Sequence, residues 1–403
     1  MPNIKPLKKL TNKARDIRDS HRVRHTPTGF GFALADSVSY LDVQRWDTLT
    51  ANSSLFLSRR YLEVLEEAGP ENLCQRYAMI FRGRDSVAVV AAQIIEISAA
   101  RLRKTPRKEK LASALERVHE RMLVCGNVLS WGMHGVAFAN GEDRALLWPA
   151  VAEALYRLRR SDKLSGSTDV VMVKDISDEH MGETGALEKY SYRTLETDPN
   201  MELEISPRWK SFEDYLGSLN SKYRKTCRQI ERDVLSAGCT VEELKDVVSH
   251  QEALHQLYLQ THHNARLRLV TLRPSFLPTL ASRLGDDMRW TVVKRDGQLL
   301  GFVNTVRDCE TAVGYYIGFD RAANEQFPIY FRLLQAVVDD AIKFGCKRLS
   351  LGRTALEPKA RLGARPAPMR VWIRHRIPAL NILVRALLQT VSHDEAPERN
   401  PFK

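Results

Sequence analysis

The sequence contains no run of about 18 uninterrupted apolar residues, the length a membrane-spanning helix requires. Even "IPALNILVRALLQTV" at 377–391 is short and carries Arg385. The opening "MPNIKPLKKLTNKARDIRDSHRVRHT" is basic and has no apolar core of the signal-peptide kind, so a soluble, cytoplasmic protein without an integral membrane segment is expected. Cysteine is sparse: Cys74, Cys125, Cys227, Cys239, Cys309 and Cys346 are dispersed, with no CxxC and no paired Cys/His spacing. Isolated thiols fit this pattern better than a zinc site or a disulfide framework, and no metal is expected. Absence of a GxxxxGK[ST] loop, zinc-finger spacing and an RRM-type aromatic motif argues against a P-loop ATPase and against a standard DNA regulator.

What is present points to a large folded chain. At 403 residues with 43% apolar content, it suits two domains, each of about 150–200 residues with its own packed interior. The net charge of +12 implies attraction for polyanions or phosphorylated small molecules. Much of the excess is local, in the N-terminal stretch and in "SKYRKTCRQIER" at 221–232. There Lys222, Lys225, Arg228 and Arg232 recur at three- and four-residue steps, which forms a positive stripe on a helix. A solvated face explains that stripe; a phosphate backbone, including that of tRNA, is the sharper alternative.

The chain repeats one order of elements. "RYAMIFRGRDSVAVVAAQII" at 76–95 and "RWTVVKRDGQLLGFVNTVRD" at 289–308 both read as two strands joined by a Gly/Asp turn. Around the first, a helix at 58–68, strand-like "CGNVLSWG" at 125–132, a helix at 145–160 and apolar "DVVMVKDI" at 169–176 are expected. Around the second, helices near 211–236, 250–264 and 274–284 precede the hairpin; "TAVGYYIGF" at 311–319, a helix over about 326–344 and "CKRLSLG" at 346–352 follow it. Turn-rich "SYRTLETDPNMELEISPRW" at 191–209 reads as the connection. The predicted organisation is a basic arm at 1–30, domains at 31–203 and 204–378, and a C-terminal helix and polar tail at 379–403.

The clearest element is the helix near Gln326. Phe327, Phe331, Leu334, Val338 and Ala341 place an apolar stripe on one face, Pro328 suits the first turn, and Gly345 suits the stop. A strand leads into its N-terminus, whose free N–H groups favour an anion.

"YLGSLNSKYRKTCRQIERD" at 215–233, "WTVVKRDGQLLGFVNTV" at 290–306, "VGYYIGFDRAANEQFPIYFRLLQAVVDDAIKFG" at 313–345 and "RLSLGRTALEPKARLG" at 348–363 resemble the GNAT acyltransferase superfamily, in its tandem-domain FemAB-like and BioF2-like branch. The resemblance covers the C-terminal part well and 55–200 through the order of elements only. It implies an α/β (mixed α+β) fold of two tandem GNAT-like domains, each a mixed sheet flanked by helices. It further implies that a splayed strand, here 313–319, admits the thioester arm of acyl-CoA, and that the helix start at 324–329 faces the pyrophosphate. The usual Q/R-x-x-G-x-G/A loop is replaced by "DRAANEQFPIY" at 320–330, a departure that FemAB-like proteins share. Some of those accept aminoacyl-tRNA instead.

The implied donor-binding residues are Ile317, Gly318, Asn324, Gln326, Phe327 and Arg353. Acyl transfer to an amine needs a base, polarisation of the carbonyl and a proton for the leaving group, but no metal. Tyr316, His262, His263 and Lys359 are the catalytic candidates. Tyr315 and Tyr316, neighbours in an extended segment, are expected on opposite faces of the sheet. His262 and His263 lie near a helix end that favours imidazolium; as adjacent helical residues they do not form a two-ligand metal face. His134 occupies the matching strand end in the first half. Three functions remain open: transfer from acyl-CoA to a small-molecule amine, with no tightly bound cofactor; aminoacyl transfer from aminoacyl-tRNA; and a non-catalytic tandem scaffold. Oligomeric state is left open.

Overall fold

The structure is a computed structural model that describes residues 26–98, 119–264, 268–377, 380–381, 397 and 399–403. The expected basic arm, apart from 26–30, and most of the expected C-terminal helix lie outside the described residues. No described helix is long and apolar enough to cross a membrane.

Among the described residues, a mixed 13-stranded sheet runs through both halves. In the first, β1 (Gly31–Ala35), β2 (Leu73–Arg82), β3 (Asp85–Ser98) and β4 (His119–Cys125) pair antiparallel in turn. Short β5 (Val136–Phe138) returns to β3, and β6 (Val170–Ser177) lies parallel to β4. After β7 (Arg193–Glu204), the second half repeats the scheme. There β8 (Cys239–Glu243), β9 (Met288–Arg295), β10 (Gln298–Asp308) and β11 (Thr311–Phe319) are antiparallel neighbours, and β12 (Arg348–Ser350) lies parallel to β11. Each half is completed by the strand that follows the other. β7 pairs with β12, the final β13 (Arg365–His375) pairs with β6, and β7 and β13 pair with each other.

Three expectations are corrected here. The turn-rich connection at 191–209 contains β7, a twelve-residue strand at the middle of the sheet; all its polar side chains but Asn200 stand at exposed and half-exposed positions, while Asn200, Met201 and Leu203 are buried. The strand-like 125–132 is the end of β4 followed by a ten-residue loop, 126–135. The long polar helix expected near 211–236 is two helices, broken where the Asn220 side chain accepts the Tyr223 N–H and starts a new one.

The helices among the described residues are α1 (Val43–Thr50), α2 (Arg59–Ala68), α3 (Arg144–Ser161), α4 (Met181–Thr184), α5 (Phe212–Ser218), α6 (Ser221–Ser236), α7 (Gln251–His262), α8 (Phe276–Leu284), α9 (Arg321–Gln326), α10 (Ile329–Lys343) and α11 (Leu356–Arg361). One core is shared between the halves: α2 packs with α7 and α8 over one sheet face, bringing Tyr61 of the first half against Tyr315 of the second. On the opposite face α3 covers the first half, while α5, α6, α10 and α11 cover the second. The stripe read from the sequence holds α10 in place: Leu334, Val338 and Ala341 are buried, each larger side chain contributing about 1.5–3 kcal/mol by transfer from water.

Candidate active site

The site is built around an irregularity in β11. Val303 pairs with Ile317 and Thr305 with Gly314, so Asn304 alone faces both Tyr315 and Tyr316. This is a β-bulge, and it breaks the two-residue alternation of side chains. Tyr315 and Tyr316 therefore do not lie on opposite faces; their rings are 4.5 Å apart, and both pack into the shared core. Asn304 is fully buried, and its Oδ1 accepts the Tyr316 N–H at 2.9 Å. Its Nδ2 has no partner among the described residues. Burial pushes both phenols well above their ordinary range, so they are neutral hydrogen-bond donors. Tyr316 donates to the Leu129 carbonyl at 3.3 Å and meets Tyr258 and Phe276 edge-on.

The sheet opens just before the bulge, so the bulged residues already lie beside the gap. β11 and β12 pair only over Thr311–Val313 and Arg348–Ser350. Past that point the chain following β12 stays with β7, the Leu351 N–H bonding to the Met201 carbonyl at 2.8 Å. The Asp320 N–H bonds to the Leu300 carbonyl on β10. In an antiparallel ladder this phase places the Ile317 N–H on the edge facing away from β10, toward the gap. Gly318 has a packing role: a Cβ there would fall 2.7 Å from the Tyr258 nitrogen, so glycine lets α7 lie against β11.

The cationic candidates separate. Lys359 sits on the buried face of α11 with Leu356 and Ala360, only 4% exposed, and its side-chain nitrogen has no hydrogen-bond or ion-pair partner among the described residues. Burial lowers its ammonium to about 7, so roughly half of it is neutral at pH 7. Arg353 is committed elsewhere, pairing with the buried Asp175 of β6, which Lys174 also contacts. Burial opposes the Asp175 charge, but Lys174 and Arg353 outweigh it and hold the carboxyl below its usual range.

The helix end around His262 does not favour a charged imidazole. Burial, followed by the neighbouring His263 and Arg268, lowers His262 to about 4. Its ring stacks on Tyr258 and its Nε2 lies 3.1 Å from Thr271 Oγ1, whereas His263 is exposed. His134 is also neutral: burial, then Lys174, lowers it to about 3, and it stacks on Phe56 with Nδ1 2.7 Å from Ser130 Oγ.

The start of α10 is internally capped. Asn324 Oδ1 accepts the Tyr330 N–H at 2.8 Å, and the Phe327 carbonyl accepts that of Ile329. Gln326 is exposed and Phe327 stacks beneath the Arg295 guanidinium. Beside this turn, a cavity of about 470 Å³ lies between α6, α10 and α11, lined in part by Lys222, Tyr223, Phe331, Gln335 and Arg361. Of the basic stripe, Lys222 alone lines this cavity. Lys225 and Arg232 are exposed, Arg232 bonding Gln229, and Arg228 pairs with Glu213 and Glu231.

Sequence reasoning missed Asn304, Tyr61 and Trp131. Asn304 carried a signal, a lone amide inside the apolar strand "LLGFVNTV". Tyr61 and Trp131 carried none, because their relevance depends on contacts with the other half. Tyr61 and Tyr315 share a 2.6 Å hydrogen bond, and Trp131 donates to Ser350 Oγ at 2.6 Å.

Two halves thus repeat one scheme, and in the second a bulged strand parts from its parallel neighbour. The segment 221–360, in the second half, matches the family model described as the acetyltransferase (GNAT) domain, and the chain as a whole shares its fold with the two solved structures that follow. The crystal structure of FemX superposes with a TM-score of 0.53 at 11% identity, covering 86% of this chain and 98% of that one. A tandem GNAT protein from the clavulanic acid biosynthesis pathway, solved without acetyl-CoA, gives 0.51 at 11% identity over 87% and 99%. A protein of Mycobacterium tuberculosis (strain CDC 1551 / Oshkosh), provisionally named 8-amino-7-oxononanoate synthase 2, is 24% identical over 286 residues. That match takes in 69% of this chain and 36% of the relative, so the chain spans about a third of the relative's length.

Proposed function

We propose that the protein moves an acyl group from acyl-CoA directly to the amine of a small, amino-acid-like acceptor in the cytoplasm, at the gap between β11 and β12. The observation that carries this reading is the orientation of the Ile317 N–H on the strand edge that β12 leaves uncovered. It is suited to accept the thioester carbonyl and to stabilise the negative charge that develops as the amine attacks. The N–C bond forms, the C–S bond breaks, and the amine proton passes to neutral Lys359. The departing thiolate takes its proton from the neutral phenol of Tyr316, which regains one from solvent as Lys359 releases the amine proton. The cavity beside α10 is assigned to the donor, with Lys222, Pro328 and Arg361 at its wall; Asn324, Gln326 and Phe327 stand in the turn that leads into Pro328. Arg353 and Gly318 support the strands, and His262 and His263 support the aromatic cluster.

The capped start of α10 favours a second reading, in which aminoacyl-tRNA is the donor. With the Tyr330 and Ile329 N–H groups already bonded, that turn offers a pyrophosphate less than an open glycine loop does. Exposed Lys222 and Lys225 are then assigned to the nucleic-acid backbone. Incubating purified protein with an acyl-CoA panel or with charged tRNA, plus a pool of amines, tests both readings. Thiol release with a matching acylated product supports the first, and deacylation of tRNA with product supports the second. Donor binding without product from either supports the non-catalytic scaffold.

A further inference from the structure

The two halves differ at one structurally matched point. In the second, Asn304 of the hairpin strand faces a two-residue bulge, Tyr315–Tyr316. In the first, Ala91 occupies the same place: its neighbours pair as Ala92 with Cys125 and Val90 with Val136. Ala91 holds both necks of what lies between, donating to the Gly135 carbonyl at 2.8 Å and accepting the Gly126 N–H at 3.1 Å. The bulge of one half is thus a ten-residue loop, 126–135, in the other. The closed necks require glycine, since a Cβ on Gly135 would lie 2.6 Å from the Gly126 nitrogen.

This loop reaches into the other half. The Trp131 indole stands edge-on to Tyr315 of β11, with centroids 6.4 Å apart, and donates to Ser350 of β12. A Cβ on Gly352 would fall 3.1 Å from the same ring. One indole therefore touches both strands where they part. It packs with Tyr315 in the shared core, whereas the cavity beside α10 is lined by Cys227 and Leu362 of the core on the opposite face.

We infer that Trp131 is the far wall of the acyl slot, and that the first half thereby sets the size of acyl group the second half accepts. The inference rests on the acyltransferase reading of the β11–β12 gap, and applies to a thioester or an aminoacyl ester alike. Removing the ring lengthens the slot, and each methylene gained in an apolar pocket changes discrimination by about tenfold or more.

The test is kcat/KM for acyl-CoAs of increasing chain length and for tRNAs charged with small or large amino acids. Wild type is compared with Trp131→Ala and with Trp131→Phe, which keeps a ring if the alanine variant fails to fold. The expected result is a rise of about tenfold or more in the ratio of large to small acyl groups for alanine, and a smaller rise for phenylalanine. Turnover by wild type with an unchanged size profile in the folded variants overturns the inference and leaves the acyltransferase reading standing. Absence of wild-type turnover with every donor overturns that reading first, and the inference with it.

Discussion

The hydroxyls of Tyr61 and Tyr315 lie 2.6 Å apart, although 254 positions separate them in the chain. Asn127 Nδ2 donates to Tyr61 at 2.7 Å, and Gln93 Nε2 donates to Gln75 Oε1 at 3.1 Å close behind. These side chains are all buried, so the polar row ties the first half to the bulged strand of the second. Replacing Tyr61 with Phe strands the Asn127 amide and costs Tyr315 a partner. A loss of about 1–3 kcal/mol in denaturant-induced unfolding is expected. A double-mutant cycle with Tyr315→Phe is expected to give a coupling of about 0.5–3 kcal/mol; additivity would show that the pair does not act as a unit.

Lys359 gives a pH-dependent stability. Its ammonium has an ordinary value of 10.5 and falls to about 7 on burial. Between those values the unfolded chain holds a proton that the folded chain does not, so stability rises with pH across the window. The contribution is whole above the unfolded value and is lost as pH falls through about 7. A displacement of this size corresponds to roughly 4–5 kcal/mol. Lys359→Met is expected to raise the melting temperature at pH 6 and to change it little near pH 11. In activity, the wild-type rate is expected to rise through about pH 7 as the amine becomes neutral, and the methionine variant is expected to lose at least about 100-fold in kcat. A flat difference in melting temperature across pH would contradict the burial of an unpaired amine.

Asn304 fixes the bulge through the Tyr316 N–H. Asn304→Leu keeps the volume and leaves that N–H buried without an acceptor, costing about 1–3 kcal/mol. Because the neighbouring Ile317 N–H moves with the bulge, kcat is expected to fall more than KM rises. An unchanged kcat would separate the bulge from the chemistry.

The architecture was largely legible where a half-buried strand alternates or a helix carries an apolar stripe. The hairpins at 76–95 and 289–308 and the helix after Pro328 form close to their expected places. β7 was not legible, since "RTLETDPNMELE" is polar and becomes a central strand only through partners supplied by β12 and β13. The candidate site was legible in part. Lys359 and Tyr316 stand out by type and position, but Tyr315 joins Tyr316 on one side only because one residue of β10 faces two of β11. No local pattern in "GNVLSWGMHG" announces that Trp131 will reach Ser350, 219 positions away.

The basic helix separates the two donors. Lys222 lines the cavity, whereas Lys225, Arg228 and Arg232 do not. With acyl-CoA as donor, Lys222→Ala is expected to raise KM, and neutralising the other three together to change it by less than about twofold. With aminoacyl-tRNA, loss of Lys222 and Lys225 is expected to flatten the salt dependence of binding by about 0.7–0.9 per lost phosphate contact. The affinity of each donor measured against salt concentration distinguishes these outcomes.

The central claim is that the acyl carbonyl lies between β11 and β12 of the second half. Its most direct test is the crystal structure of the protein bound to a non-hydrolysable analogue of acyl-CoA in which a methylene replaces the sulfur and the acyl carbonyl is kept. The account predicts the carbonyl oxygen about 3 Å from the Ile317 nitrogen, the acyl chain directed at Trp131 and the nucleotide end leaving through the cavity beside α10. An analogue bound in the first half, or in the second with its carbonyl away from Ile317, would contradict it.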